Sequence, residues 1–281
     1  MPSILVTGAT GFIGRALCDG LLRQGHAVEQ WSSRQGDIAD PATLRSVPPV
    51  SHVFHLAGRT FVPDSWLDPA SFHRVNVLGT ANILEFCRKH RARLTFVSGY
   101  LYGVPDRLPV SEASVPKPNN PYALSKHLAE QMCGFYAEHC GVDTTTIRPF
   151  NVFGPGQNTQ FLIPQIIKQV REGREVHVKD LAPKRDYVYV ADLVDALIST
   201  LNRPAGHHVF NIGSGASISV GDVISAIQAV AGTELPIASD NQVRPNEIPD
   251  VYADIAKAQG VLGWRPRHTL AQGLERLLSW A

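Results

Sequence analysis

Long apolar runs are the first thing this sequence lacks. None approaches the ~18 residues that a membrane-crossing helix needs, so no transmembrane segment is expected. Cysteine is scarce, with four in 281 residues (Cys18, Cys87, Cys133 and Cys140) and none in a CxxC spacing. Three fall on stretches read as amphipathic helices and the fourth just after one. That excludes a disulfide-stapled scaffold and points to reduced, structural thiols. The eleven histidines show no HExxH or other ligand spacing, and His207-His208 reads as a turn, so no metal site is expected. Neither sign of charge is in excess. A formal net charge of +1 gives no global field for nucleic acid. The one basic run, "RKHRAR" at 88–93, reads as a solvated helix end. The opening "SILVTGATG" has no positive start and its apolar run stops in a glycine loop, so it is not read as a signal peptide. A cytoplasmic location is expected. No internal repeat or low-complexity segment is present.

What is there is an alternation of apolar strands and amphipathic helices over the first ~150 residues. Near-continuous apolar runs such as "SILVT" and "HVFHLAG" suit the buried centre of a parallel sheet. Between and after them come "HAVEQW", a long helix over 72–89, the strand "RLTFVSG", a helix from about residue 121, and the strand in "VDTTTIRPFNVFG". This is the pattern of an α/β doubly wound Rossmann sheet. The domain expected over 1–150 binds a dinucleotide. Residues 151–281, with short strands such as "EVHVK" and "HHVFNIG" among Pro-rich turns, form a smaller mixed α/β lobe. Elements around 186–203 are expected to return to the main sheet. Ligands of such sheets bind beyond the carboxyl ends of the strands.

The first strand-to-helix turn, "TGATGFIG", holds Gly8, Gly11 and Gly14, followed by a helix whose apolar face is Ile13, Leu17 and Leu21. Glycines let the backbone turn sharply and approach a pyrophosphate, and the helix N-terminus offers free N–H groups. The alternative is a turn kept glycine-rich for packing alone. An NAD site usually carries an acidic residue at the end of the second strand. Here that end reads "WSSR", and Ser33 with Arg34 suits a 2′-phosphate instead. NADP(H) is therefore favoured and NAD(H) stays possible. Asp37 and Ile38 are placed at the adenine, with Asp37 on its amino group. Phe12, Ile13, Leu56, Ala57 and Pro149, at the ends of their strands, complete the expected cofactor contacts.

"NNPYALSKHLAEQM" begins a helix, because Asn120 can cap it and Pro121 suits its first turn. Tyr122 and Lys126 lie four residues apart on one face. Such a pair is either surface decoration or a phenol whose neighbouring cation stabilises the phenolate.

"TGATGFIG", "HLAG", "VNVLGT", "VSGYLYG", "NPYALSK", "RPFNVFGPGQ", "KRDYVYVADLVDA" and "FNIGSG" occur in this order. Together they closely resemble the extended short-chain dehydrogenase/reductase family, in its NAD-dependent epimerase/dehydratase branch, over essentially the whole chain. The resemblance implies an enzyme with a nicotinamide cofactor and a nucleotide-diphosphate sugar held by the C-terminal lobe. It implies Tyr122 as catalytic acid/base, Lys126 as the residue that lowers its pKa and holds the nicotinamide ribose, and Ser98 as the hydroxyl on the reacting oxygen. Val97 stands where many relatives have a second serine. Asn76 matches a helix asparagine that holds backbone and active-site water, its other reading being a solvent-facing polar residue. A homodimer through helices 72–89 and 122–140 follows by analogy.

The 4,6-dehydratases of this family carry acids beside the catalytic serine, where this chain has Gly99, Tyr100 and Leu101. That leaves 4-keto reduction with NADPH or 4-epimerisation with tightly bound NAD. Arg34 and the missing acid favour the reductase. "VKDLAPKRDYVYV", "VRPNEIPDVYAD" and "FVPDSWLDP" resemble the GDP-4-keto-6-deoxy-mannose reductase branch. In that reading Arg185 and Arg244 bind the diphosphate, Glu247 the nucleoside ribose, and Asn151 the sugar or its phosphate. The other reading of Arg185 is an ion pair with Asp186. "HLAGRT" departs from the usual "HLAAQS", so Arg59 and Thr60 leave the sugar open.

Overall fold

The structure, a computed structural model, describes residues 3–242 and 247–280. Its main sheet has six parallel strands: β1 (Ile4–Thr7), β2 (Val28–Trp31), β3 (His52–His55), β4 (Arg93–Val97), β5 (Thr144–Pro149) and β6 (His207–Ile212). Their spatial order is β6-β5-β4-β3-β1-β2. β1 and β3 are buried at every position, which is why they read as unbroken apolar runs. β2 lies at the edge and is largely open to solvent. The chain leaves β1 outward to β2, then crosses back to β3 on the other side of β1. The loops after β1 and β3 therefore diverge, and a crevice opens between them at the carboxyl ends.

Helices cover both faces. α1 (Phe12–Arg23) and α4 (Val190–Ser199) pack on one, burying Leu17, Leu21, Leu193 and Leu197. α2 (Gly79–His90) and α3 (Pro121–His139) pack on the other, burying Ile83, Leu84, Cys87, Ala129 and Cys133. The single helix expected over 72–89 is real but not uniform, since a π-helical turn, His73–Leu78, leads into α2. The stretch "HHVFNIG", read as part of the smaller lobe, is β6, and it pairs with β5 along its whole length. Three small sheets surround a further apolar cluster of Phe153, Ile166, Val170, Val223, Ile227 and Leu274.

All four cysteines are free, and burial pushes the Cys18 thiol up to about 11 and those of Cys87 and Cys133 higher still. Among the described residues no cluster of three His, Cys, Asp or Glu could hold a metal, and no helix is long and apolar enough to cross a membrane.

Candidate active site

The crevice begins at the glycine turn. Gly8 has φ +72°, a backbone shape that suits glycine, and a Cβ there would stand 2.8 Å from the Ala57 nitrogen. A Cβ on Gly14 would run into the Gly8 carbonyl. Gly11 precedes α1 without any side-chain cap, so the first N–H groups of the helix remain open to an anion. The far wall is fixed by a buried polar chain. Thr7 Oγ1 bonds His55 Nδ1 at 2.7 Å and accepts from the Ala57 N–H, while His55 Nε2 bonds Thr80 Oγ1 at 3.1 Å. Burial pulls His55 down to about 3, so this imidazole is neutral.

α3 delivers the second part. Asn120 Oδ1 accepts from the Ala123 N–H at 2.8 Å and Pro121 occupies the first turn, as the sequence predicts. The Tyr122 hydroxyl reaches the backbone of Gly99, where a Cβ would stand only 2.6 Å from it. Next to Gly99, the Ser98 hydroxyl is buried and has no hydrogen-bond partner among the described residues. An unsatisfied buried hydroxyl beside a phenol is the kind of donor a bound carbonyl oxygen would satisfy. Phe72 backs the Tyr122 ring edge-on, with centroids 6.4 Å apart.

Lys126 is anchored on β4. Its amine donates to the Val97 carbonyl at 2.8 Å and lies 4.8 Å above the Phe96 ring. The phenol of Tyr122 is not lowered. Burial, with the Glu130 charge acting in the same direction, pushes it up to about 12. Helical spacing puts the two residues on one face, but packing on β4 turns the amine to a strand carbonyl and desolvates it. The Tyr122 phenol keeps its proton through the neutral range. Lys126 itself is pulled down by burial to about 8 from 10.5.

That shift has a consequence for stability. Between pH 8 and 10.5 the folded chain has released the Lys126 proton while the unfolded chain still binds it, so this group's contribution rises with pH. Below pH 8 it is a constant cost of about 3 kcal/mol at 1.36 kcal/mol per pKa unit. Lys126→Met is therefore expected to stabilise the fold at pH 7 by about 1–3 kcal/mol, the lower end allowing for the orphaned Val97 carbonyl. The gain is expected to shrink toward pH 10. Thermal unfolding at the two pH values checks it, and an equal or lower midpoint for the variant at pH 7 would contradict it.

At the second strand, Ser33 and Arg34 are exposed where the sequence places them, while Ser32 turns inward and bonds the Gln35 side chain at 2.7 Å. Asp37 does not stand free for an adenine. Its carboxylate accepts from the Ala39 N–H, pairs with Arg74, and is held below its ordinary value by both. Ile38 is a core residue, with its side chain against the backbone of Gly79. Asn76 lies on the π-helical turn. Its amide bonds both the N–H and the carbonyl of Arg59, and also Ser125 Oγ at 2.9 Å, so it is buried machinery rather than a solvent-facing residue.

Two of the expected substrate residues are brought together as partners of each other. Arg185 pairs with Glu247 and also donates to the Ile248 carbonyl at 2.5 Å. The pair with Asp186 does not form, because Asp186 points inward to Ser214, Gly215 and Ala253. Asn151 is exposed and its amide folds back on the Asp186 carbonyl at 3.2 Å. Pro149 ends β5, buried beside Ile212. Arg244 lies outside the described residues.

Sequence reasoning does not reach Phe72, Arg74, Glu130 or Arg148. A signal exists for Glu130, which continues the Tyr122–Lys126 face of α3 by one more turn. Arg74 and Arg148 carry none, because their partners are distant in sequence.

The model of the NAD dependent epimerase/dehydratase family matches residues 4–213. The chain is 32% identical to the GDP-6-deoxy-D-mannose reductase of Pseudomonas aeruginosa, over 98% of this chain and 96% of that protein. The solved structure of RMD from Pseudomonas aeruginosa complexed with NADPH matches with a TM-score of 0.89 at 30% identity, covering 99% of this chain and 98% of that one. The Thermus thermophilus UDP-glucose 4-epimerase in complex with NAD matches with a TM-score of 0.88 at 28% identity, with the same coverage. The glycine turn, the crevice and the Tyr122–Lys126 helix stand within the matched span, and the chain belongs to the NAD dependent epimerase/dehydratase family.

Proposed function

We propose that the chain is an NADPH-dependent reductase of a nucleotide-linked 4-keto-6-deoxy sugar, with GDP-4-keto-6-deoxy-mannose the first substrate to test. The observation that carries this reading is the phenol of Tyr122 at the Gly99 backbone, one residue from the unpartnered buried hydroxyl of Ser98. Two O–H donors in one place suit a carbonyl oxygen that is becoming an alkoxide. The glycine cradle fits a dinucleotide: Gly8, Gly11 and Gly14 admit the pyrophosphate to the N-terminus of α1, and Ser33 with Arg34 offers a hydroxyl and a cation to a 2′-phosphate. When bound, the reduced nicotinamide supplies the hydride that the sugar carbonyl carbon accepts.

The chain's own residues do the rest. Ser98 holds the carbonyl oxygen, and Tyr122 passes its proton to that oxygen as charge develops. Lys126, anchored on Val97, provides a positive charge on the same face of α3 for the tyrosinate that remains and a donor for the nicotinamide ribose. No acid stands at Gly99, Tyr100 or Leu101, where elimination would call for one. Arg185 comes to a diphosphate only by exchanging Glu247 for it, so substrate binding is accompanied by the opening of that pair. The lobe from 151 onward is the substrate-binding part of this reading.

The test is NADPH oxidation by the purified protein with GDP-4-keto-6-deoxy-mannose, preceded by a measurement of nicotinamide retained through purification. Net oxidation supports the reductase. Retained NAD with sugar interconversion and no net oxidation makes the protein a 4-epimerase, the second reading, which the likeness to the NAD-bound UDP-glucose 4-epimerase favours. The same reading places two chains together through α2 and α3. Leu124 and Phe135 of α3 are 40% and 57% exposed, and Leu78 beside α2 is 47% exposed, a large apolar area for an unpartnered helix face. Light scattering at micromolar concentration is expected to give twice the chain mass, and Phe135→Glu to give the single chain. A wild-type monomer would end this part of the proposal.

A further inference from the structure

We propose that Glu130 and Arg148 are positioning residues for the Tyr122–Lys126 pair: their buried ion pair fixes the roll of α3 against β5 and sustains the positive charge of Lys126. The proposal rests on the reading of Tyr122 and Lys126 given above. Tyr122, Lys126 and Glu130 follow one another at four-residue intervals, so all three line one face of α3. Glu130 and Arg148 are each 6% exposed. Arg148 Nε donates to Glu130 Oε1 at 3.0 Å and its Nη2 to Oε2 at 2.6 Å, a two-pronged contact that fixes angle as well as distance.

The contact does not end there. Arg148 Nη1 donates to the Tyr102 hydroxyl at 2.7 Å, and that hydroxyl donates to Asn211 Oδ1 at 2.7 Å. Asn211 Nδ2 then donates to the Val110 carbonyl at 2.9 Å. Tyr102 lies in the loop that Ser98 opens. One network thus ties the helix of the phenol, the strand β5, the loop of the catalytic hydroxyl and the strand β6. Stability alone does not call for it, because a buried ion pair is commonly replaceable by apolar residues of like volume at no loss. What apolar residues do not reproduce is the fixed fork and the charge.

The charge matters through Lys126. The groups that face it are Glu130 and Cys133 on α3 and the neutral His55 on β3. Glu130 is in turn faced by Arg148 on β5 and His207 on β6, and Arg148 by the Tyr102 hydroxyl in the loop. Among these, Glu130 opposes the desolvation that strips Lys126 of its proton, and it also helps keep the proton on Tyr122.

Two variants separate position from charge. Glu130→Gln keeps the shape and one acceptor but removes the charge. In the protein without ligand, NMR titration of 13Cε-labelled lysine is expected to place the Lys126 midpoint about one pH unit below wild type. The alkaline limb of kcat/KM is expected to move down with it, while Glu130→Asp restores most of the shift. The double variant Glu130→Met/Arg148→Leu is expected to unfold within a few degrees of wild type yet to lose about 10²-fold in kcat, as misplacement of a reacting group does. An unmoved Lys126 midpoint in Glu130→Gln overturns the electrostatic half, and full kcat in the double variant overturns the positioning half. If Glu130→Gln does not fold, the double variant carries both measurements. If wild type itself reduces none of the sugars, the NMR midpoint still decides the electrostatic half, and the failure belongs to the functional reading.

Discussion

Tyr122→Phe is expected to lower kcat by about 10²–10⁴-fold, the worth of a positioned proton donor, while the KM for the nucleotide sugar stays within a few-fold of wild type. The substitution removes one oxygen and keeps the ring. The edge-on contact with Phe72 at 6.4 Å survives, as does the capped first turn of α3, so unfolding is expected to move by no more than ~1 kcal/mol. The phenol is pushed up to about 12, so in wild type it carries its proton throughout the neutral range. The rate is therefore expected to be flat near pH 7 and to fall on the alkaline side, beginning where Lys126 loses its charge near 8. In the variant no tyrosinate forms for the Lys126 charge to stabilise, and Ser98 does not titrate in this range, so that limb is expected to flatten in the residual rate. Steady-state kinetics of both proteins across pH decide the matter. A variant with more than a tenth of the wild-type kcat would remove Tyr122 from the chemistry.

The parts of this site legible in the sequence are those in which local spacing carries the physics. A glycine turn between a buried strand and an amphipathic helix declares itself because its neighbours have strong periods. A phenol and an amine one turn apart share a face in any helix, and Asn-Pro before them marks where that helix starts. Illegible are the partners chosen in three dimensions. The chain offers Arg185 its neighbour Asp186, but strand geometry turns consecutive side chains apart, so the carboxylate goes inward and the guanidinium finds Glu247. Ile38 reads as a cofactor contact because it follows Asp37, yet it packs against Gly79, whose missing side chain makes room for it. Lys126 shows the limit most clearly. Its position on α3 is legible, but the direction of its amine depends on the Val97 carbonyl at the end of β4. The same holds for β6, whose place at the sheet edge depends on β5 accepting it.

Asp186→Ala is expected to cost about 3–6 kcal/mol of folding free energy, from three backbone donors left without an acceptor at 1–3 kcal/mol each, reduced by whatever water reaches them. The carboxylate is 0% exposed. Its Oδ1 accepts from the Ser214 N–H at 2.6 Å and the Ser214 hydroxyl at 2.7 Å, and its Oδ2 from the N–H groups of Gly215 at 3.1 Å and Ala253 at 3.0 Å. Among the described residues no cation stands within ion-pair distance, so backbone and hydroxyl dipoles alone stabilise the charge. Burial raises its pKa and those hydrogen bonds oppose the rise. Gly213 is required at the same place, because a Cβ there would collide with Oδ2. The residue joins the loop that follows β6 to the segment at Ala253, and its own carbonyl accepts from the Asn151 N–H at 2.9 Å. Asp186→Asn, which retains one acceptor oxygen but turns an N–H₂ toward N–H donors, is expected to fall between wild type and alanine. Denaturant unfolding measures the loss, and amide exchange at residues 214, 215 and 253 locates it. A cost below ~1 kcal/mol, or exchange unchanged at those three amides, would show that water or a shifted backbone replaces the carboxylate and that Asp186 does not hold this part of the site together.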